Sequence, residues 1–181
     1  PIANPQRFIP DWTFGIQDER MQGIVDDVRE NEQPDLVVVI SHNGMDVDLK
    51  MASRVSGIDV IFGGHTHDGV PSPTLVENKG GKTLVVNAGS NGKFLGVMDM
   101  DVRDGKLKDF RYRLVPVFSN LLPADKEMQA YIDNTRAPYK DKLEQQLAVT
   151  EETLYRRGNF NGTFDQVICD ALTKVNDAQI S

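Results

Sequence analysis

One cysteine, Cys169, stands alone in 181 residues, so the chain cannot form an internal disulfide. It sits in the apolar stretch Val167-Ile168-Cys169 and reads as a buried structural thiol rather than a reactive one. Basic residues are in the minority, 20 Lys and Arg against 27 Asp and Glu, for a net charge of -7. That balance argues against nucleic-acid and anionic-membrane partners, because polyanions are held by basic patches. No apolar run approaches the ~20 residues that span a bilayer; the longest, Leu36 to Ile40, is strand-sized. A secretory signal is missing: Pro1-Ile2-Ala3-Asn4-Pro5 has neither a basic nor an apolar region. An initiator Met is missing too. We read the chain as a piece of a longer one, so the missing signal does not decide compartment.

What is present is enough apolar material for one ordinary core, in one to two domains by length. Met21, Ile24, Val25 and Val28 recur at helical spacing and predict a helix over residues 17–31. Residues 35–40 form a β-branched run typical of a strand buried on both faces. A short helix over 46–55 and a second buried strand over 58–62 follow, which together read as a βαβ unit with parallel strands. From Thr74 the pattern turns to antiparallel β, with strands over 82–87, 94–102 and 107–117 and a tight turn at Asp104-Gly105. In the last strand Phe110, Tyr112 and Leu114 alternate with Arg111 and Arg113, predicting one buried and one wet face. A connecting helix from about Asp125 should be kinked or divided at Pro138. Beyond Glu151 come a short strand over 153–155, a Gly/Asn-rich loop over 157–163 and a helix from about Asp165. The expected organisation is therefore 1–120, a linker over 121–150, and the truncated start of a further domain over 151–181.

All three histidines lie between residues 42 and 67. His42 follows the first buried strand, in Ser41-His-Asn-Gly44. His65 and His67 follow the second, in Gly63-Gly-His-Thr-His67. Ligand crevices of parallel α/β sheets lie at the carboxyl ends of strands, where both segments deliver their imidazoles. In an extended segment residues two apart point the same way. His65 and His67 can then face one site, with Thr66 turned aside. Imidazole nitrogen suits Zn, Mn, Fe or Ni, and suits Ca or Mg poorly. A closed structural zinc site fits less well, since such sites are cysteine-rich. A hydrolytic pair of ions ~3.5–4 Å apart needs a bridging anionic ligand. Asp46, Asp48, Asp59 and Asp68 could serve in principle. Asp46 and Asp48 are expected on the solvent side or capping the helix, Asp59 inside a strand, and Asp68 in a turn contact. The bridging ligand is expected outside this chain.

Taken together, Ser41-His-Asn-Gly44, Gly57-Ile-Asp-Val-Ile61, Gly63-Gly-His-Thr-His67 and the loop from Asn87 to Gly96 resemble the calcineurin-like metallophosphoesterase domain of the 5′-nucleotidase family. A finer resemblance, over essentially the whole chain, is to the thiosulfohydrolase branch, the B component of the Sox sulfur-oxidation system. It rests on residues 11–16, 41–53, 65–71 and 154–165. The resemblance implies an α/β fold: the later half of a metallophosphoesterase β-sandwich flanked by helices, a connecting helix, and the start of a 5′-nucleotidase-type C-terminal domain. It implies a periplasmic enzyme with two divalent ions, most often manganese. Such an enzyme hydrolyses a cysteine S-thiosulfonate on a sulfur-carrier protein. It implies that His42 and His65 bind one ion and His67 the other, and that the catalytic residues and remaining ligands precede Pro1.

Nucleotidases of this family carry an Arg-Glu pair and then Gly-Asn just before an Asp-Ala helix. Here the stretch reads Arg156-Arg-Gly-Asn-Phe-Asn-Gly-Thr-Phe-Asp-Gln166 before Asp170-Ala171, so the Glu and the Gly-Asn next to that helix are not matched, which favours the thiosulfohydrolase. Either Arg156 or Arg157 could face an anionic substrate, because a guanidinium fork suits oxyanions; a solvated arginine is the plainer reading of each. The alternatives are a 5′-nucleotidase or related phosphoesterase, and a non-catalytic metal-binding module.

Overall fold

Helix α1 (Asp18–Asn31) is amphipathic and buries Val25, 2% exposed, against the sheet behind it. Its Arg29 donates to the carbonyls of Pro34 and Gly57 and to the Asp59 carboxylate. That fork ties the helix to the chain entering the second strand. These observations come from a computed structural model, which describes residues 5–156 and 162–179. The fold is mixed α/β, as expected.

Strand β1 (Val38–Ile40) leads into helix α2 (Met45–Arg54) and strand β2 (Val60–Gly63). Strand β3 (Thr74–Asn78) and strand β4 (Gly81–Asn87) form a hairpin. The four strands make one sheet in the order β1-β2-β4-β3, with β1, β2 and β4 parallel. The parallel βαβ unit is therefore present. Strand β4 departs from the antiparallel expectation on its β2 side only, which gives a mixed sheet. The core is a cluster of Val25, Met51, Ala52, Val55, Ile58, Ile61 and Val85. Burying each of the larger side chains contributes about 1.5–3 kcal/mol relative to leaving it exposed.

Strand β1 corrects the expectation of a strand buried on both faces. It lies at a sheet edge, with Val38 42% and Ile40 89% exposed. Val39 packs against the core, whereas Val38 and Ile40 point to the opposite face and stay open to solvent.

Strands β5 (Phe94–Arg103) and β6 (Lys106–Pro116) form a separate two-stranded sheet. Asp104 and Gly105 both take positive φ, 53° and 64°, as a type I′ hairpin turn requires. Tyr112 and Leu114 are half-buried as the alternation predicts, but Phe110 remains 38% exposed, so the apolar face of β6 is only partly covered.

The chain divides into two compact units, one ending at Pro123 and the other beginning at Ala124. In the second, helix α3 (Lys126–Arg136) is capped by Asp125, whose side chain accepts from the Met128 amide at 2.8 Å. Pro138 falls in a 3-10 turn that separates α3 from helix α4 (Lys140–Leu143), so the division expected there occurs. Residues 153–155 are not a strand. Instead Tyr155 uses its amide on Thr163 Oγ1 and its carbonyl on the Phe164 amide. These local bonds to the start of helix α5 (Thr163–Asn176) replace a strand partner. Cys169 is half-buried rather than buried, because α5 has no buried residue on its apolar face.

Candidate metal centre

The parallel register sets the site. Ile40 pairs with Phe62 and Gly63 with Asn87, so β1, β2 and β4 all end at one rim. The Ser41 amide donates to the Phe62 carbonyl at 2.9 Å, which extends the pairing one residue before His42 leaves the sheet.

On that rim His42 and His65 meet. His42 Nε2 lies 3.3 Å from His65 Nδ1, and the rings sit edge to face with centroids 5.0 Å apart. Two imidazole nitrogens bound ~2.1 Å from one cation stand ~3.0–3.4 Å apart at octahedral or tetrahedral angles. The observed spacing therefore fits two ligands of a single ion. Both rings, and that of His67, are exposed, so the pair opens to solvent.

His67 does not join them. Among the described residues no three His, Cys, Asp or Glu side chains group as a ligand set. The premise of an extended His-x-His segment is corrected as well. His65 and His67 have φ of 73° and 62°, in the left-handed region that side-chain-bearing residues rarely adopt. The Thr66 amide donates to the Gly64 carbonyl at 2.9 Å, closing a three-residue turn around His65. The positive-φ form of this turn is rare and strained. Such outliers persist where surrounding structure over-determines them. Thr66 is also not idle. Its Oγ1 accepts from the Met45 amide at 3.1 Å and donates to Asp68 at 2.5 Å. The histidine loop is thereby tied to the first turn of α2.

The carboxylates fall out differently from expectation. Asp46 is exposed, as anticipated. Asp59 sits just before β2, at the opposite end of the sheet, bound to Arg29 and to the Val37 amide. Asp68 makes the turn contact with Thr66. Asp48 is the correction: it is fully buried, not on the solvent side, and α2 is capped at Gly44 instead. Ser41 Oγ donates to Asp48 Oδ1 at 2.5 Å, and the Asn43 amide donates to Ser41 Oγ at 3.2 Å. Burial pushes the Asp48 carboxyl above the usual carboxylate range, with hydrogen bonds from Ser41 and Asn43 pulling it partly back. The sequence does contain the signal: positions 48, 51, 52 and 55 follow the helical period of the buried stripe.

Arg156, the other candidate, pairs with Asp165 at 3.1 Å and is well exposed. Arg157 lies outside the described residues. The histidine rings stand on a rim rather than inside a cavity. A shallow hollow of about 660 Å³ beside their loop is lined by Met45, Asp46, Thr66 and Asp68 among others. A second of about 610 Å³, lined by Asp59, Lys106 and Lys108 among others, lies toward the other end of the sheet.

No family model matches the chain. The solved structure of the sulfate thiohydrolase SoxB from Thermus thermophilus superposes with a TM-score of 0.76 at 37% identity, over 88% of this chain and 29% of that one. A 5′-nucleotidase precursor, also from Thermus thermophilus, gives 0.73 at 25% identity, over 88% and 35%. Among curated relatives, the 5′-nucleotidase of Vibrio vulnificus is 26% identical over 82% of this chain. The chain belongs to the 5′-nucleotidase/metallophosphoesterase superfamily. Members matched here are hydrolases by name, and the chain spans only 33% of that Vibrio enzyme's length. Within the superfamily match, the residues that resemble its histidine motifs are the ones found on the sheet rim.

Proposed function

We propose that the whole protein is a metal-dependent thiosulfohydrolase that releases sulfate from a cysteine S-thiosulfonate held on a sulfur-carrier protein. The observation that carries a metal is the facing of His42 Nε2 and His65 Nδ1 at 3.3 Å. The preference for sulfur chemistry rests on the higher identity to SoxB, 37%, than to the nucleotidase, 25%, each match covering 88% of the chain. Both relatives support a hydrolase, and a 5′-nucleotidase is the second reading, because nucleotidases recur among the matched proteins.

In this reading His42 and His65 hold one divalent ion, His67 contributes to a second, and the remaining ligands come from elsewhere in the whole protein. Manganese is the ion we assign by resemblance. When bound, such a pair supplies a hydrolytic water of lowered pKa and stabilises charge on anionic oxygens. Water oxygen bonds to the terminal sulfonate sulfur while the adjoining sulfur–sulfur bond breaks. The electron pair leaves with the carrier's persulfide, sulfate departs, and two protons are released. No external oxidant or reductant is needed. The left-handed backbone at His65 and the tie from Thr66 to α2 keep the ring aimed during this exchange. We place the protein in the periplasm by the same resemblance; no described helix is long and apolar enough to cross a membrane.

The deciding assay offers the whole protein, loaded with Mn(II), two substrates: a thiosulfonate-loaded carrier and AMP. Sulfate release with little phosphate supports the proposal. Phosphate release from AMP alone replaces it with the nucleotidase reading.

A further inference from the structure

Both histidine loops converge on one buried side chain that neither carries. Asp48 projects from α2 and is 0% exposed. Its Oδ1 accepts from Ser41 Oγ, and that same hydroxyl accepts from the Asn43 amide. Asp48 thus holds the residues on either side of His42. Its Oδ2 has no hydrogen-bond partner among the described residues. It lies against Gly63: a Cβ there would meet Asp48 Oδ2 at 2.5 Å. Only a glycine at the end of β2 leaves room for this carboxyl. Gly64 lies against the other loop, since a Cβ on it would stand in ordinary contact, 3.4 Å from both His42 Nδ1 and the Ser41 carbonyl. Gly63, two residues before His65, is therefore shaped around Asp48, and Gly64 brings the chain alongside His42.

We propose that Asp48 is the positioning residue of the site, a buried hydrogen-bond acceptor that registers the His42 loop against the His65 loop so that their nitrogens face one cation. The inference rests on the metal reading for its purpose, but not for its geometry. What it requires of position 48 is an acceptor toward Ser41, not a charge. Asparagine can supply the same acceptor, whereas alanine cannot. Residues behind metal-binding histidines commonly tune affinity by 10–100-fold.

Ser41→Ala, Asp48→Ala and Asp48→Asn in the full-length protein test it. The first readout needs no metal: nuclear Overhauser contact between the His42 and His65 ring protons. The second is Co(II) titration followed by visible absorption. Ser41→Ala and Asp48→Ala should lose the ring contact and weaken Co(II) binding about 10–100-fold. Asp48→Asn should keep the contact and stay within a few-fold of wild type. If Asp48→Ala fails to fold, Ser41→Ala decides alone, because it removes a single oxygen. A folded Ser41→Ala that keeps both ring contact and Co(II) affinity overturns the proposal. So does an Asp48→Asn as defective as Asp48→Ala, or a wild type without ring contact. A wild type with ring contact but no Co(II) binding sinks the metal reading and leaves this inference judged on the ring contact.

Discussion

The proposed metal site turns on single residues, and two of them are legible in the sequence alone. His42 and His65 follow strand-like runs, and parallel strands side by side must bring such residues to one rim. Replacing His65 with Ala in the whole protein should remove one metal equivalent and most hydrolase activity. Elemental analysis checks this, and unchanged metal content would refute the assignment. Asp48 is harder to see, because two aspartates in the first turn of a helix look like partners of the helix dipole. Its place on the stripe with Met51, Ala52 and Val55 is the clue that outweighs this. Its burial has a pH signature. A carboxyl whose folded pKa is raised binds its proton more tightly folded than unfolded, so the contribution of Asp48 to wild-type stability falls as pH rises from its ordinary 3.8 through the folded value. Asp48→Asn lacks this loss. The stability difference, variant minus wild type, should therefore grow across that window and level off above it, as urea melts at a series of pH values would show. Position 65 has its own signature. At φ 73° glycine is unstrained, so His65→Gly should be about 1 kcal/mol more stable than His65→Ala, while both lose the ion.

At the scale of elements, pattern and turn chemistry explain most of what forms. The Asp104-Gly105 hairpin can be read directly, because few residue pairs tolerate two positive φ angles in succession. The helix break at Pro138 follows from the lost amide and the ring clash. The strand expected over 153–155 does not form because a three-residue strand exists only with a partner, and periodicity says nothing about partners. The His-x-His loop departs from expectation for a related reason. Alternation presumes an extended backbone, but the Gly64–Thr66 hydrogen bond folds the segment into a tight turn. Gly44 joins this loop to α2. It has φ 104°, and a Cβ there would meet Thr66 Cγ2 at 2.9 Å and His65 Cδ2 at 3.6 Å. Gly44→Ala should lower unfolding free energy by about 1–3 kcal/mol, through a side chain at positive φ and a crowded contact. Denaturant midpoints at constant m-value measure it.

For the molecule as a whole, the ligand count governs what this chain can do alone. Among the described residues two imidazoles face each other and no third ligand joins them. Residues 1–181 by themselves should show negligible release of sulfate or phosphate, even with Mn(II) in excess. Full turnover from the purified chain would contradict that. The superfamily and α/β class are readable from motif strings, because those strings encode strand ends and glycine clearances that few folds share. How the strands are neighboured is not, and β1 shows why it matters. An edge strand with no outer neighbour among the described residues, carrying an isoleucine almost wholly in water, is a template on which another strand can grow. Concentrated solutions of the chain should scatter light increasingly with time despite seven net negative charges. A lysine in place of Ile40 should keep them clear.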